Sequence, residues 1–151
     1  DGIVYAINGY FGPVMAVRAG GSGDVTASHV LWTLKKGSNV PSPVYHDGYL
    51  YWSDHDGGVF CLDAKKGTFM YQGRLNPPAG RVYASPIVAD GKLYYVSRDK
   101  GAFVLAAKPK LEILAHNTIA TDDSIFNASL AVTGKRLLLR SDKFLYCIGE
   151  R

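Results

Sequence analysis

The feature that most constrains this chain is a spacing. Asp47-Gly48 is followed by Asp90-Gly91 and then by Thr133-Gly134, a step of 43 residues each time. The same step links Pro43, Pro86 and Ser129, then Tyr51, Tyr94 and Leu137, then Asp56, Asp99 and Asp142. It also links Phe60, Phe103 and Tyr146, and Cys61, Val104 and Cys147, with no gap across two periods. A looser copy begins at Asp1-Gly2, 46 residues before Asp47-Gly48, and Gly20-Gly21-Ser22-Gly23-Asp24 is the loop insertion expected to absorb the difference. Matching position and matching chemistry together mean tandem units. Such units bury their apolar surface against one another.

Turn signals divide each unit. In the second, strands are expected over 40–45, 49–53, 59–63 and 68–75, separated by His46-Asp47-Gly48, Asp54-His55-Asp56-Gly57-Gly58 and Ala64-Lys65-Lys66-Gly67. Four short antiparallel strands in a tandem unit of this length make one blade of a β-propeller. A blade is covered on both faces, which accounts for the unbroken apolar run Tyr49-Leu50-Tyr51-Trp52. A solenoid of hairpins is the alternative. The reading is an all-β, incomplete β-propeller of four-stranded antiparallel blades, about 3–4 blades and 14 strands in a 3, 4, 4, 3 pattern. It is a single partial propeller over 1–151: partial blade 1 over 1–38, blade 2 over 39–80, blade 3 over 81–123 and partial blade 4 over 124–151. The chain reads as the C-terminal portion of a longer protein. Its terminal blades are expected to expose apolar faces that pair copies of the chain, two of which could complete a ring.

Composition narrows the function classes. Lys plus Arg is 17 against 13 Asp plus Glu, a net charge of +4. The excess is scattered: Lys35-Lys36, Lys65-Lys66 and Lys108-Pro109-Lys110 each follow a strand-like run and read as turns, so no nucleic-acid surface is expected. No apolar run is long enough for a membrane-spanning helix. Two cysteines exclude a disulfide scaffold and a Cys-rich zinc site. Cys61 and Cys147 share one strand position two blades apart and are read as free, buried thiols.

WD-type and kelch signatures are missing. The third strand and its turn instead read Cys61-Leu62-Asp63-Ala64-Lys65-Lys66-Gly67-Thr68-Phe69-Met70-Tyr71. This resembles the repeat of quinoprotein-type (PQQ-like) propellers, A-x-D-x-x-T-G-K-x-x-W. Asp63 and Gly67 match, Cys61 stands for the Ala, Lys66 for the Thr and Tyr71 for the docking Trp. Trp32 fills the Trp position in the first unit, whereas Ala106-Ala107-Lys108-Pro109 departs from the pattern in the third. The resemblance implies that Trp32 and Tyr71 are aromatics that dock one blade on the next. It suggests an extracytoplasmic or periplasmic location. It also implies that enzymes of this kind use PQQ with calcium, whereas other relatives, such as the propeller lipoprotein of the outer-membrane barrel-assembly machine, recruit proteins through rim loops.

No catalytic, cofactor or metal ligand set stands out. There is no Cys-Cys pair, no H-x-x-H or H-E-x-x-H spacing and no G-x-S-x-G. Asp54-His55-Asp56-Gly57 could open a calcium loop, but its continuation supplies no further ligands, and the recurring Asp56, Asp99 and Asp142 read as turn formers. Asn127-Ala128-Ser129 fits a glycosylation sequon and is read instead as a hydrogen bond at the start of an inner strand. Loops between second and third strands share a rim with segments that lead into the inner strands. That rim would carry Asn39, His55, Arg81, Arg98, Asn127 and Arg140. The expected function is therefore a non-catalytic scaffold or binding module with a protein or small-molecule partner at the rim. A fragment of a PQQ-dependent dehydrogenase and a carbohydrate-binding propeller are the alternatives. PQQ and calcium are expected only in a closed parent ring.

Overall fold

Two-residue turns set the strand pairing. Asp47 and Asp90 adopt φ of 47° and 49°, and the glycines after them adopt 84° and 65°. A two-residue hairpin loop of the I′ kind needs positive φ at both positions, and Asp-Gly supplies it. The computed structural model describes residues 2–9 and 12–149. The expected turn residue Asp1 lies outside them.

Four antiparallel sheets follow one another along the chain. Blade 1 holds β1 (Ile3–Ile7), β2 (Pro13–Arg18) and, after the short helix α1 (Thr26–His29), β3 (Val30–Lys35). Blade 2 holds β4 (Val44–His46), β5 (Tyr49–Ser53), β6 (Gly58–Asp63) and β7 (Thr68–Arg74). Blade 3 holds β8 (Ile87–Ala89), β9 (Lys92–Val96), β10 (Ala102–Ala106) and β11 (Ile113–Asn117). Blade 4 holds β12 (Ala131–Thr133), β13 (Arg136–Arg140) and β14 (Leu145–Ile148). The helix directly follows the expected insertion, whose last residue, Asp24, accepts through Oδ1 from the Thr26 N–H at 2.9 Å.

The inner strands are shorter than the sequence suggests. Residues 40–43 are not strand, because Pro41 and Pro43 cannot donate to a ladder. Residues 125–130 likewise run outside β12.

The ungapped 43-residue step also needs correcting in blade 4. Tyr51 pairs with Cys61 and Tyr94 with Val104, but Cys147 pairs with Leu138, not Leu137. The hairpin explains the slip. Thr133 replaces the Asp of the other loops, and a β-branched residue resists positive φ. The loop therefore moves to Gly134-Lys135, flanked by the pair Thr133↔Arg136, with Gly134 first at φ 55°. The β13–β14 loop is one residue shorter than its counterparts, which restores the step by Cys147.

Three apolar clusters join the blades. Between blades 1 and 2 lie Val14, Leu50, Trp52, Phe60 and Leu62, with Tyr5, Trp32 and Phe69 against them. Between blades 2 and 3 lie Tyr51, Val59, Cys61, Leu93, Tyr95, Phe103 and Leu105, with Tyr71 and Leu111. Between blades 3 and 4 lie Ala84, Val96, Phe126, Leu130 and Leu139, with Tyr94 and Tyr146. Trp52, Tyr51, Tyr95 and Phe103 are fully buried. Each such side chain stabilises by about 1.5–3 kcal/mol, so these aromatics dominate blade-to-blade adhesion.

The outer faces of the terminal blades stay open. Val4 and Leu31 of blade 1 and Leu145 of blade 4 are 56%, 41% and 71% exposed. Cys147, expected to be buried like Cys61, is exposed, because no blade among the described residues packs on that face of β14.

Candidate functional site at the rim

The rim is stitched together by main-chain bonds that cross from segment to segment. The Val82 N–H donates to the His55 carbonyl at 3.0 Å, and the Phe126 N–H to the Arg98 carbonyl at 2.9 Å. The Arg98 N–H in turn donates to the Arg81 carbonyl, and the Asp142 N–H to the Ile125 carbonyl, both at 2.9 Å. The segments leading into β8 and β12 are thus each held by the loop of the preceding blade and by that of their own. His55, Arg81 and Arg98 lie along this row. Asn39 stands beside Gly9 in the β1–β2 loop, its Oδ1 3.0 Å from where a Cβ on Gly9 would sit.

Arg98 is the best-defined side chain of the row. Its Nε donates to Asn127 Oδ1 at 2.9 Å, and its guanidinium carbon lies 4.6 Å from the centre of the Tyr83 ring. Tyr83 had no distinguishing sequence signal. It is the aromatic that stacks beneath the guanidinium. The bond pattern makes His55 and Asp142 the counterparts of Arg98 in blades 2 and 4. Arg140 is not part of this row. It ends β13, paired with Leu145, where the other blades carry Ser53 and Val96.

The turn chemistry differs from expectation. Asp56, Asp99 and Asp142 are exposed and do not shape the loops. Asp54 Oδ1 accepts from the N–H groups of Asp56 and Gly58 at 3.1 and 2.7 Å. Ser97 Oγ accepts from Asp99 and Lys100 at 3.3 and 3.0 Å, and Ser141 Oγ from Lys143 and Phe144 at 3.2 and 3.0 Å. A short acceptor at the loop's first position does this work.

Beneath the rim runs a ladder of serines. The Ser42 N–H donates to Ser85 Oγ at 2.9 Å, and the Ser85 N–H to Ser129 Oγ at 2.9 Å. Ser129 of the sequon therefore makes the inner-strand bond expected of it.

Trp32 and Tyr71 lie away from the rim row, at blade contacts. Trp32 Nε1 donates to the Ala64 carbonyl at 3.0 Å, in the β6–β7 turn of the next blade. That turn is built by Asp63, whose Oδ1 accepts from Lys65 and Lys66, and by Gly67 at φ 68°. A Cβ on Gly67 would fall 2.7 Å from Trp32 Cγ, so glycine is what lets the indole lie flat on the turn. Tyr71 packs into the cluster between blades 2 and 3, and burial raises its pKa.

The carboxylates are largely committed. Asp54 and Asp63 serve their own turns, Asp99 pairs with Lys100 and Asp123 with Lys143. Asp122 accepts from Ser124 Oγ at 2.6 Å and from the Tyr146 hydroxyl at 2.7 Å. Burial opposes its charge, yet hydrogen bonds from Ser124, Ser141 and Tyr146 hold its carboxyl well below the usual range. Among the described residues no three His, Cys, Asp or Glu side chains form a group able to hold a metal.

No family model matches the chain, and no curated protein matches it. Its fold is that of the PQQ-like β-propellers. The structure of BamB from Moraxella catarrhalis superposes with a TM-score of 0.69 at 16% identity, over 93% of this chain and 38% of that one. A quinohemoprotein alcohol dehydrogenase from Pseudomonas putida gives 0.64 at 17% identity, over 92% of this chain and 27% of that one. The computationally designed Ika4 protein gives 0.70 at 12% identity, over 99% of this chain and 86% of that one. The chain thus spans well under half the length of the two natural proteins. No helix among the described residues is long and apolar enough to cross a membrane.

Proposed function

We propose that this chain is a non-catalytic binding segment of a PQQ-like propeller, and that it engages a protein partner at the rim carrying Asn39, His55, Arg81, Arg98 and Asn127. The observation that carries this reading is the row of cross-blade bonds through His55, Arg81 and Arg98, which holds polar side chains of two blades in fixed relation. Loops on a rigid β scaffold are where such proteins place recognition. An extracytoplasmic setting belongs to the same proposal and is supported by the likeness to BamB. The test is site-specific photo-crosslinking in the host cell. Probes at Asn39 and Arg81 should capture one discrete protein, whereas a probe at Met70, on an outer strand, should not. Equal capture from both places would overturn the reading.

A second reading, part of a PQQ-dependent dehydrogenase, is favoured by the likeness to the quinohemoprotein enzyme. It requires saturable binding of PQQ in the presence of calcium, read as quenching of tryptophan fluorescence.

A further inference from the structure

Among the described residues no arginine makes an ion pair, whereas five of the lysines do. Among the described residues every ion pair is made by a lysine or by His55; Arg18, Arg74, Arg81, Arg98, Arg136 and Arg140 make none. Arg98 differs from the rest in being held. Its main-chain N–H and carbonyl both serve the cross-blade row, its guanidinium lies over the Tyr83 ring, and Asn127 Oδ1 accepts from its Nε–H. Its Nη atoms have no acceptor among the described residues. A planar fork fixed at Nε and still offering N–H groups matches the two oxygens of a carboxylate. The half-buried position and the stacked ring strengthen that contact by limiting hydration, and the cost of ordering the side chain is already met within the fold. Arg81 lies next to it, bonded through its carbonyl, and adds a second positive charge.

We propose that Arg98, oriented by Tyr83 and Asn127, is the recognition point for an acidic side chain of a peptide partner. This deepens the rim-binding reading and rests on it. Blade 2 places His55 and blade 4 places Asp142 at the corresponding position, so the fork occurs once along the row and gives the contact its register.

The experiment uses the whole chain, an acetylated and amidated hexaglutamate, its hexaglutamine counterpart and inorganic phosphate. The readouts are the Nε–H signal of Arg98 by NMR and the affinity by calorimetry. Hexaglutamate should shift the Arg98 signal and hexaglutamine should not. R98K keeps the charge but loses the fork, and should weaken binding about tenfold; N127A should weaken it by a similar factor. Tyr and Cys61 protection report that both variants remain folded. Unchanged affinity in R98K, with loss in R81A, would overturn the fork while leaving the rim reading intact. An equal shift with phosphate at equal concentration would overturn the choice of a carboxylate partner. No shift with hexaglutamate would overturn the proposal outright, and the crosslinking result judges the rim reading separately.

Discussion

Replacing Gly67 by alanine tests the blade-docking geometry at one atom. Two costs are expected. The backbone sits at φ 68°, where an L-residue is disfavoured by about 1 kcal/mol relative to glycine. The new methyl would also fall 2.7 Å from Trp32 Cγ and Cδ2, closer than van der Waals contact allows. The indole must lift, which loses the bond to the Ala64 carbonyl, about 1 kcal/mol, and part of its apolar burial, about another 1 kcal/mol. The total is about 3 kcal/mol. Gly91 provides the control, because it has φ 65° with nothing within 4 Å of its would-be Cβ. Gly91→Ala should therefore cost only the backbone penalty of about 1 kcal/mol. Urea unfolding followed by far-UV circular dichroism separates the two. A W32A background closes the cycle: without the indole, Gly67→Ala should fall to the Gly91→Ala cost, a coupling of about 2 kcal/mol. If Gly67→Ala and Gly91→Ala cost the same in the parent chain, the indole does not rest on that turn and the docking argument fails.

Other consequences are open to direct measurement. Burial pushes the Cys61 thiol up to about 12, whereas Cys147 is exposed, so at concentrations where the chain is monomeric an aromatic disulfide reagent at pH 8 should titrate one thiol quickly and the other only after denaturation. Two fast thiols would contradict the packing between blades 2 and 3. Asp122 has a folded pKa below its unfolded value, so its contribution is present above about pH 4 and is lost as pH falls further. The urea midpoint of D122N should thus lie below that of the parent at pH 7 and approach it near pH 2; a gap independent of pH would refute this. The open apolar faces of blades 1 and 4 are expected to pair, which light scattering would show as a mass near twice 16.4 kDa. A monomer at high concentration would show that the faces stand open in solution.

Much of the fold is legible in the residues because its turns are chemically specific. Asp-Gly tolerates positive φ at both loop positions, so two hairpins and their registers follow from Asp47-Gly48 and Asp90-Gly91. Thr133-Gly134 shares the spacing but not the conformational freedom. Its loop slides by one residue, a shift that a count along the chain hides. Exposure is harder to read. Cys61 and Cys147 occupy one strand position, and only the presence or absence of a following blade separates buried from exposed. At the rim, the loops were placed by the repeat, but Tyr83 carries no pattern of its own. Its role depends on Arg98 crossing to it, a contact between residues 15 apart in sequence.

The serine ladder gives the molecule a direction. At each step an amide N–H of one blade donates to the hydroxyl of the next, from Ser42 to Ser85 and from Ser85 to Ser129. One end of the row is therefore an acceptor and the other a donor, like the two ends of a strand of wire with different plugs. Among the described residues the Ser42 hydroxyl receives no amide and the Ser129 amide reaches no hydroxyl. Two copies meeting at like ends would oppose donor to donor or acceptor to acceptor. Only unlike ends could carry the row onward, so any association that extended it would run head to tail.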